Sequence, residues 1–303
     1  THHKIRMEKK NKGNPILDFT LEFDRFRLEL GPCACIMGIL NATPDSFSDG
    51  GRYITLETAL CQGRKLAEAG AHILDIGGES SRPFADPVSE QEELDRVIPV
   101  IETLAREIDI PISIDTVKSR VARAALDAGA TIINDISALE KDPAMAALAA
   151  ERKVPCVLMH MKGTPETMQV NPDYDDLMEE ITVYLDKRAR FAMEQGIARD
   201  KIILDPGIGF GKTVEHNLVL INHLQKISDL GYPVLMGPSR KSFIQTILNK
   251  RETTPIGPDN VKTEYGTLAA VAASILKGAH IVRVHDVERI TSFTRIIDAI
   301  RNA

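Results

Sequence analysis

Polar side chains stand at the ends of short apolar runs in this chain. Three aspartates, Asp75, Asp115 and Asp205, and one asparagine, Asn134, lie at equivalent depths in four such runs. A buried carboxylate without a partner is costly, so a hydrogen-bond donor must meet each of them. Acceptors that converge on an apolar cavity suit a flat heterocycle rich in N–H groups, such as guanine or a pterin. A single aspartate of this kind is more often a helix cap, and Asp115 before Thr116 admits that interpretation.

Cationic side chains follow other apolar runs. They are Arg82, Arg240, Lys241, Arg283 and His285. The chain as a whole has a formal net charge of -6, so these groups do not belong to a generally basic surface. Arginine and lysine are the usual partners of phosphate oxygens. The set therefore predicts a local anion site, although His285 alone would be weak support because a lone histidine is more often structural.

Residues 39–51, I-L-N-A-T-P-D-S-F-S-D-G-G, form a polar, turn-rich segment directly after an apolar run. Asn41 begins its polar part, and Phe47 is an aromatic side chain among hydroxyls and carboxylates. Such oxygens suit a metal-bridged or phosphate-bearing ligand. Composition alone also fits a solvated turn.

Regular elements must position these groups. The spacing of apolar residues predicts strands at residues 35–40, 72–77, 111–115, 131–136, 155–160, 201–205, 233–237 and 280–285. It predicts helices at residues 56–69, 90–108, 118–128, 143–151, 174–195, 214–230, 264–277 and 287–300. Residues 250–262 are predicted to be a surface excursion inside the seventh unit.

Eight alternating strand–helix units predict an α/β fold, a (β/α)8 TIM barrel, as a single domain over residues 33–303. Residues 1–32 are an N-terminal extension that we expect to be partly disordered or tag-derived at its start. Five predicted helices are followed directly by a glycine suited to a left-handed cap, at positions 70, 129, 196, 231 and 278. An open doubly wound sheet is the alternative, against which the missing G-x-G-x-x-G turn after the first strand counts. In a barrel, the active site lies where the strands end.

Composition narrows the class of protein. The hydrophobic content of 43% and charged content of 26% are those of an ordinary globular protein. The net charge argues against a nucleic-acid or anionic-membrane partner, and the apolar runs are too short for a membrane span. We expect a cytoplasmic protein. The four cysteines, Cys33, Cys35, Cys61 and Cys156, form no C-x-x-C pair and are predicted to be buried thiols.

Seven motifs in order resemble the dihydropteroate synthase family, the folate-pathway enzymes that sulfonamides inhibit. They are the 39–51 segment, L-D-I-G-G-E-S-S-R-P at 74–83, S-I-D-T at 113–116, I-I-N-D-I-S at 132–137, L-D-P-G-I-G-F-G-K at 204–212, S-R-K-S at 239–242 and R-V-H-D at 283–286. The likeness runs from about Ile36 to the last predicted helix. Two departures from the family pattern are Ser81, where the family usually has threonine, and Phe84, where it usually has glycine.

The resemblance implies a transferase that joins 6-hydroxymethyl-7,8-dihydropterin diphosphate to p-aminobenzoate, with Mg2+ on the diphosphate and sulfonamides as competitive inhibitors. It also implies a homodimer formed through barrel helices. Carried over by motif, the pterin-binding residues are Asp115, Asn134, Met159, Asp205, Phe210, Lys241 and Arg283. The diphosphate-binding residues are Asn41, Ser81, Arg283 and His285, with Asn41 also on the metal. The p-aminobenzoate-binding residues are Phe47, Ser81, Arg82, Pro83, Phe210, Ser239 and Lys241. The catalytic residues are Lys241, Asp115, Asp205 and Arg283.

Two other functions are compatible with parts of this pattern. A pterin-dependent methyltetrahydrofolate methyltransferase would share the acids but would not need Arg283, His285 and Asn41 for a diphosphate. A catalytically silent pterin-binding protein is the third possibility. Release of diphosphate in the presence of the pterin diphosphate and p-aminobenzoate would distinguish the synthase reaction from these two functions.

Overall fold

The computed structural model describes residues 16–42, 56–80, 87–164, 167–168 and 172–303. Its strands are β1 (Phe19–Phe23), β2 (Phe26–Leu30), β3 (Cys35–Asn41), β4 (Ile73–Gly77), β5 (Ile112–Asp115), β6 (Ile132–Asp135), β7 (Cys156–Met159), β8 (Ile202–Asp205), β9 (Leu235–Met236) and β10 (Ile281–Val284). Its helices are α1 (Leu56–Glu68), α2 (Glu90–Glu107), α3 (Ser119–Asp127), α4 (Ala144–Arg152), α5 (Leu177–Glu194), α6 (Val214–Asn222), α7 (Gln225–Ser228), α8 (Ser242–Asn249), α9 (Val261–Leu276) and α10 (Val287–Arg301).

Strands β3 to β10 form one parallel sheet in the order β8-β7-β6-β5-β4-β3-β10-β9. A parallel bridge between Leu204 and Val234 joins β8 to the segment that enters β9, so the sheet closes on itself. The first and last barrel strands are neighbours, with Ile281 opposite Cys35 in the register of β10 and β3. The predicted (β/α)8 TIM barrel is confirmed, and the open doubly wound alternative is wrong.

The barrel interior is divided into an apolar floor and a polar upper layer. The floor consists of one inward-facing side chain from most strands, and it includes Met37, Ile73, Ile132, Val157, Ile203, Leu235 and Ile281. Two residues further along, the same strands present Asp75, Asn134, Asp205 and Arg283. Because side chains alternate along a strand, positions two apart face the same side. The apolar floor thus supports a polar layer at the carboxyl ends of the strands.

An antiparallel hairpin of β1 and β2 covers the apolar floor from outside. Leu21, Phe23 and Leu30 are buried in the same cluster as the floor residues. Lys201, in the turn before β8, donates a hydrogen bond to the backbone oxygen of Glu22. These strands lie within the range that the sequence analysis separated as an extension, and they close the lower end of the barrel.

The observed helices and barrel strands agree with the predicted units, with three exceptions. The five predicted capping glycines all have positive φ, from 76° to 115°. The single helix predicted at 214–230 is wrong, because the chain forms α6 and α7 with a break at His223 and Leu224. Residues 242–249, which were given no element, form α8, and β9 is shorter than the predicted strand at 233–237. No helix within the described ranges is long and apolar enough to span a bilayer.

The cysteine prediction is half correct. Cys35 and Cys156 are buried, and burial raises the pKa of the Cys35 thiol to about 12. Cys33 and Cys61 are exposed, contrary to the prediction. Cys33 precedes β3 instead of lying within it, so it does not share the burial of Cys35.

Candidate active site

Arg283, on β10, bridges two aspartates from neighbouring regions of the barrel. Its Nε donates to Asp75 Oδ2 at 2.6 Å, and its Nη2 donates to Asp115 Oδ2 at 2.8 Å. The side chain of Arg283 is 20% exposed and that of Asp75 is fully buried. Charge-assisted hydrogen bonds of this kind fix a guanidinium in one plane.

Asp75 also holds Asn134. Asn134 Nδ2 donates to the same Asp75 Oδ2 atom at 3.1 Å, so this oxygen receives both Arg283 and Asn134. The other oxygen, Oδ1, is buried without a hydrogen-bond partner among the described residues, as is the hydroxyl of Ser113 beside it in the register of β4 and β5. Asp75 was one of the three aspartates expected to face a heterocycle but received no role from the family resemblance, and the structure makes it the common support of Asn134 and Arg283.

Asp115 ends β5 and shares Arg283 with Asp75. Burial raises the pKa of the Asp115 carboxyl to about 7, an effect that Arg283 opposes and the nearby Asp75 strengthens. The interpretation of Asp115 as a helix cap is wrong, because α3 begins after Lys118 and has no side-chain cap there. Asp115 is therefore a partly exposed acid at the mouth of the barrel, with one oxygen directed to Arg283.

Asp205 ends β8 on the other side of the barrel. Its Oδ1 accepts a hydrogen bond from the backbone N–H of Gly207 at 2.7 Å. Burial raises the pKa of Asp205 to about 6, while the positive charges of Lys241, Lys212 and Arg283 act in the opposite direction. Arg283 thus influences both Asp115 and Asp205, and both acids end strands at the same rim of the barrel.

An apolar wall lies beside Asp205. Met159, which is opposite Asp205 in the register of β7 and β8, packs with Phe210 and Met168. The ammonium group of Lys241 lies 4.0 Å from the centre of the Phe210 ring, a cation–π contact. A flat ring could lie against this wall with its N–H edge directed to the carboxylates.

The remaining predicted residues lie at the same rim. Asn41 ends β3 opposite Gly77 and is partly exposed. Ser239 is buried, its Oγ lies 3.0 Å from Nδ1 of His285, and it accepts a hydrogen bond from the His285 backbone N–H. Ser239 and His285, which were predicted to border different substrates, are therefore direct partners.

Arg240 does not belong to the cationic set, contrary to the prediction. Its guanidinium pairs with Glu264 at 2.5 Å and Asp259 at 2.7 Å, both on the outer side of the barrel. Its φ of 57° lies in the left-handed region, and neighbouring Lys241 instead lies over the ring of Phe210. Phe47, Ser81, Arg82 and Pro83, together with Phe84, lie outside the described residues, and their predicted roles stay predictions.

Three residues near the site were missed by the sequence analysis. Met168 completes the apolar wall, while Lys212 and His160 are buried together behind it. Lys212 is the last residue of the L-D-P-G-I-G-F-G-K motif, which was the one available signal. No sequence pattern marked it as buried.

The raised pKa of Asp115 predicts how stability depends on pH. Between pH 3.8 and about 7 the folded state binds a proton on Asp115 that the unfolded state has lost. The contribution of this group to the free energy of unfolding therefore falls as pH rises through that window. Asp115→Asn should become more stable relative to the unmutated protein as pH rises from about 4 to 7, measured by urea denaturation.

The quantity to compare is the difference in the free energy of unfolding between Asp115→Asn and the unmutated protein at each pH. Burial lowers the pKa of His160 to about 3, which gives the whole protein an opposite trend below pH 6.5. A stability difference that does not change between pH 4 and 7 would contradict the prediction.

The fold brings acids and cations to one rim of a (β/α)8 barrel, an arrangement suited to an N–H-rich heterocycle that carries an anionic group. Comparison with known proteins agrees. Residues 37–285 match the model of the pterin-binding enzyme family. The dihydropteroate synthase of Synechocystis sp. is 49% identical over 265 residues, covering 88% of this chain and 89% of that protein.

Solved structures give the same result. The Yersinia pestis dihydropteroate synthase with a sulfonamide drug has a TM-score of 0.87 and 42% identity, covering 94% of this chain and 100% of that chain. The Xanthomonas albilineans enzyme with 4-aminobenzoic acid has a TM-score of 0.85 and 42% identity, covering 94% and 99%. The chain belongs to the dihydropteroate synthase family of pterin-binding transferases.

Proposed function

We propose that this enzyme joins 6-hydroxymethyl-7,8-dihydropterin diphosphate to p-aminobenzoate by departure of diphosphate followed by attack of the aniline nitrogen. The observation that carries the proposal is that Asp115, Asp205, Lys241 and Arg283 lie at one rim of the barrel, with Lys241 over the ring of Phe210. The aspartates would then bind the pterin ring, and the cationic side chains would bind the diphosphate of the same substrate.

The pterin would lie between the apolar wall and the acids. Met159 and Phe210 offer a surface for its ring, and Asp205 and Asn134 offer acceptors in the same polar layer. Carboxylates near the ring also stabilise positive charge that develops at the pterin methylene as diphosphate leaves. No protein nucleophile is required for this route.

Arg283 is suited to the diphosphate because its guanidinium has five N–H donors. Two donors are used by Asp75 and Asp115, which orient the group, and the others can reach phosphate oxygens. His285, oriented by Ser239, and Asn41 complete this part of the site in the proposal. The barrier falls because positive charge is already in place where negative charge develops.

Asn41 fits the Mg2+ that the family implies. Mg2+ prefers oxygen ligands and is often held by one or two side chains together with substrate phosphates. Within the described ranges there is no cluster of three or more His, Cys, Asp or Glu side chains suited to a metal. Asn41 would therefore share the ion with the diphosphate, where the ion would neutralise part of the leaving charge.

p-Aminobenzoate would bind nearer to solvent than the pterin. Phe210, Lys241 and Ser239 are the described residues that we assign to it, and Phe47, Ser81, Arg82 and Pro83 would complete its surroundings. Sulfonamides, which resemble it in shape, would compete for the same place. We place the enzyme in the cytoplasm, since its four cysteines are free thiols, as is usual in reducing compartments.

A turnover assay tests the proposed reaction. The protein is mixed with the pterin diphosphate, p-aminobenzoate and Mg2+, and both dihydropteroate and diphosphate are measured. Lys241→Ala should lower kcat/KM by about 100-fold, because it removes the cation beside Phe210 and Asp205. Diphosphate release without dihydropteroate, or methyl transfer from methyltetrahydrofolate, would contradict the proposal, and binding without any turnover would favour a silent pterin-binding protein.

We further propose a homodimer formed by α6, α8 and α9. An apolar groove of about 360 Å³ lies between these helices and is lined by Leu218, Phe243, Ile247 and Ala273 among others. Five large apolar side chains are exposed on the same helices: Leu218, Ile247, Val261, Tyr265 and Leu276. Exposed apolar patches of this extent mark protein contacts.

Sedimentation velocity tests the dimer. The unmutated protein should sediment at twice the 33.4 kDa of one chain, and Leu218→Glu should shift it toward the monomer. Val183→Glu, at an exposed apolar position on α5, is the matched control and should leave the dimer intact. Equal behaviour of the two variants would contradict the assignment of this face.

A further inference from the structure

A lysine is buried directly behind the proposed pterin site. Lys212 is only 2% exposed, although lysine is rarely buried without a partner. Its Nζ lies 3.0 Å from His160 Nδ1 and donates to the backbone oxygen of Phe210 at 2.9 Å. Within the described ranges, no carboxylate forms a close ion pair with it. The proposed reaction makes no use of this group.

Lys212 fastens the loop that carries Phe210. The loop, residues 206–211, lies directly against the segment that follows β7. A Cβ at Gly207 would come 1.8 Å from the backbone oxygen of His160, and one at Gly211 would come 2.4 Å from that of Lys162. The ammonium group of Lys212 bonds to the backbone oxygen of Phe210, and that of Lys241 lies over the ring, so two lysines contact this residue.

His160 is the neutral partner of this pair. Burial, then the charge of Lys212, lowers the pKa of His160 to about 3. The neutral ring can accept a proton at Nδ1, and Tyr184 packs against it edge-on at 5.0 Å. An ammonium group on Lys212 therefore finds two acceptors, His160 and the Phe210 carbonyl.

Lys212 lies close to the acid of the pterin site, because its partner His160 donates its backbone N–H to the backbone oxygen of Asp205 at 2.9 Å. Burial lowers the pKa of Lys212 to about 7, whereas the charge of Asp205 raises it and that of Lys241 lowers it. The charged or titratable groups around the pair are Asp205 on β8, Lys241 before α8, His160 and Lys162 after β7, and Tyr174 and Tyr184 beside His160. Arg283 acts on Asp205 from β10.

We propose that Lys212 is a positioning residue: its buried ammonium group, held by His160, fixes the Phe210 loop and keeps Asp205 ionised for the pterin. This inference rests on the proposed pterin role of Asp205. It assigns Lys212 no contact with substrate. A pterin N–H edge requires the carboxylate form of Asp205, and a nearby positive charge extends that form to lower pH.

Binding of 6-hydroxymethylpterin, measured by calorimetry between pH 5 and 8, tests the inference. Affinity should fall toward low pH as Asp205 becomes protonated. Lys212→Gln keeps donors for His160 and Phe210 but removes the charge, so it should move the midpoint of this fall upward by about one pH unit. Lys212→Met removes donors and charge, so it should show the same shift together with weaker binding at every pH. Lys162→Met, at a partly exposed lysine beside the same loop, is the matched control and should not shift the midpoint.

Each outcome decides the question. A uniform loss of affinity in both Lys212 variants, with an unchanged midpoint, would show a purely structural role and overturn the proposal. If neither variant folds, His160→Leu, which removes the acceptor of the ammonium, should shift the midpoint in the same direction, and an unchanged midpoint overturns the proposal. Failure of the unmutated protein to bind 6-hydroxymethylpterin would instead refute the proposed function.

Discussion

Arg283→Met is expected to lower kcat/KM by about 1,000-fold and the free energy of unfolding by about 3–5 kcal/mol. The loss of activity follows from removing the group placed to neutralise the leaving diphosphate. The loss of stability follows because Asp75, which is fully buried, would lose its 2.6 Å partner. Steady-state kinetics and urea denaturation measure the two effects on the same preparation.

A second substitution separates the two effects of Arg283→Met. Adding Asp75→Asn removes the acid that has lost its partner, so it should restore part of the stability and none of the activity. Arg289→Met is the control on α10, where the guanidinium pairs with Asp286 at 3.2 Å and is 53% exposed. It should cost less than about 1 kcal/mol. Recovery of activity in the double variant would contradict the assigned role of Arg283.

Asp205→Asn is expected to weaken binding of the pterin substrate by about 100-fold, because charge-assisted hydrogen bonds become neutral ones. The fold should persist, since an asparagine oxygen can still accept from the Gly207 N–H. At pH 8 the variant should even be more stable by about 1–3 kcal/mol, because the folded protein no longer buries a carboxylate whose pKa is raised to about 6. Higher stability with lower affinity would distinguish this effect from misfolding.

Asp200→Asn is the matched control for this experiment. Asp200 precedes β8, its side chain is 64% exposed, and its nearest cationic partner is Lys201 at 3.5 Å. Neither stability nor affinity should change measurably. If Asp205→Asn altered the KM for p-aminobenzoate and spared that for the pterin, the assignment of Asp205 would be wrong.

The sequence was sufficient for the barrel and for the residues at its rim. Asp115, Asn134, Asp205 and Arg283 could be found because each lies on a strand whose apolar pattern is clear, and all barrel strands end at one rim. The helix α8 also had a visible signal, since Phe243, Ile244, Ile247 and Leu248 have helical spacing. It was missed although only residues 237–241 separate it from the short strand β9.

Pairing between distant residues was not predictable in the same way. Arg240 was assigned to the anion site because its partner Glu264, 24 positions away, could not be recognised from the sequence. Lys212 was passed over because burial of a lysine depends on tertiary contacts that have no local pattern. The break at His223 and Leu224 involves no proline or glycine, so the predicted helix continued through it.

The pairing of β10 with β3 has a consequence for synthesis of the chain. The strand that completes the barrel lies at Ile281–Val284, close to the end of the sequence, whereas its partner is the first barrel strand to leave the ribosome. Until β10 has been synthesised, one edge of β3 has no paired strand, and unpaired strand edges promote association with other chains. The nascent protein must therefore keep this edge from other chains throughout translation of more than two hundred residues.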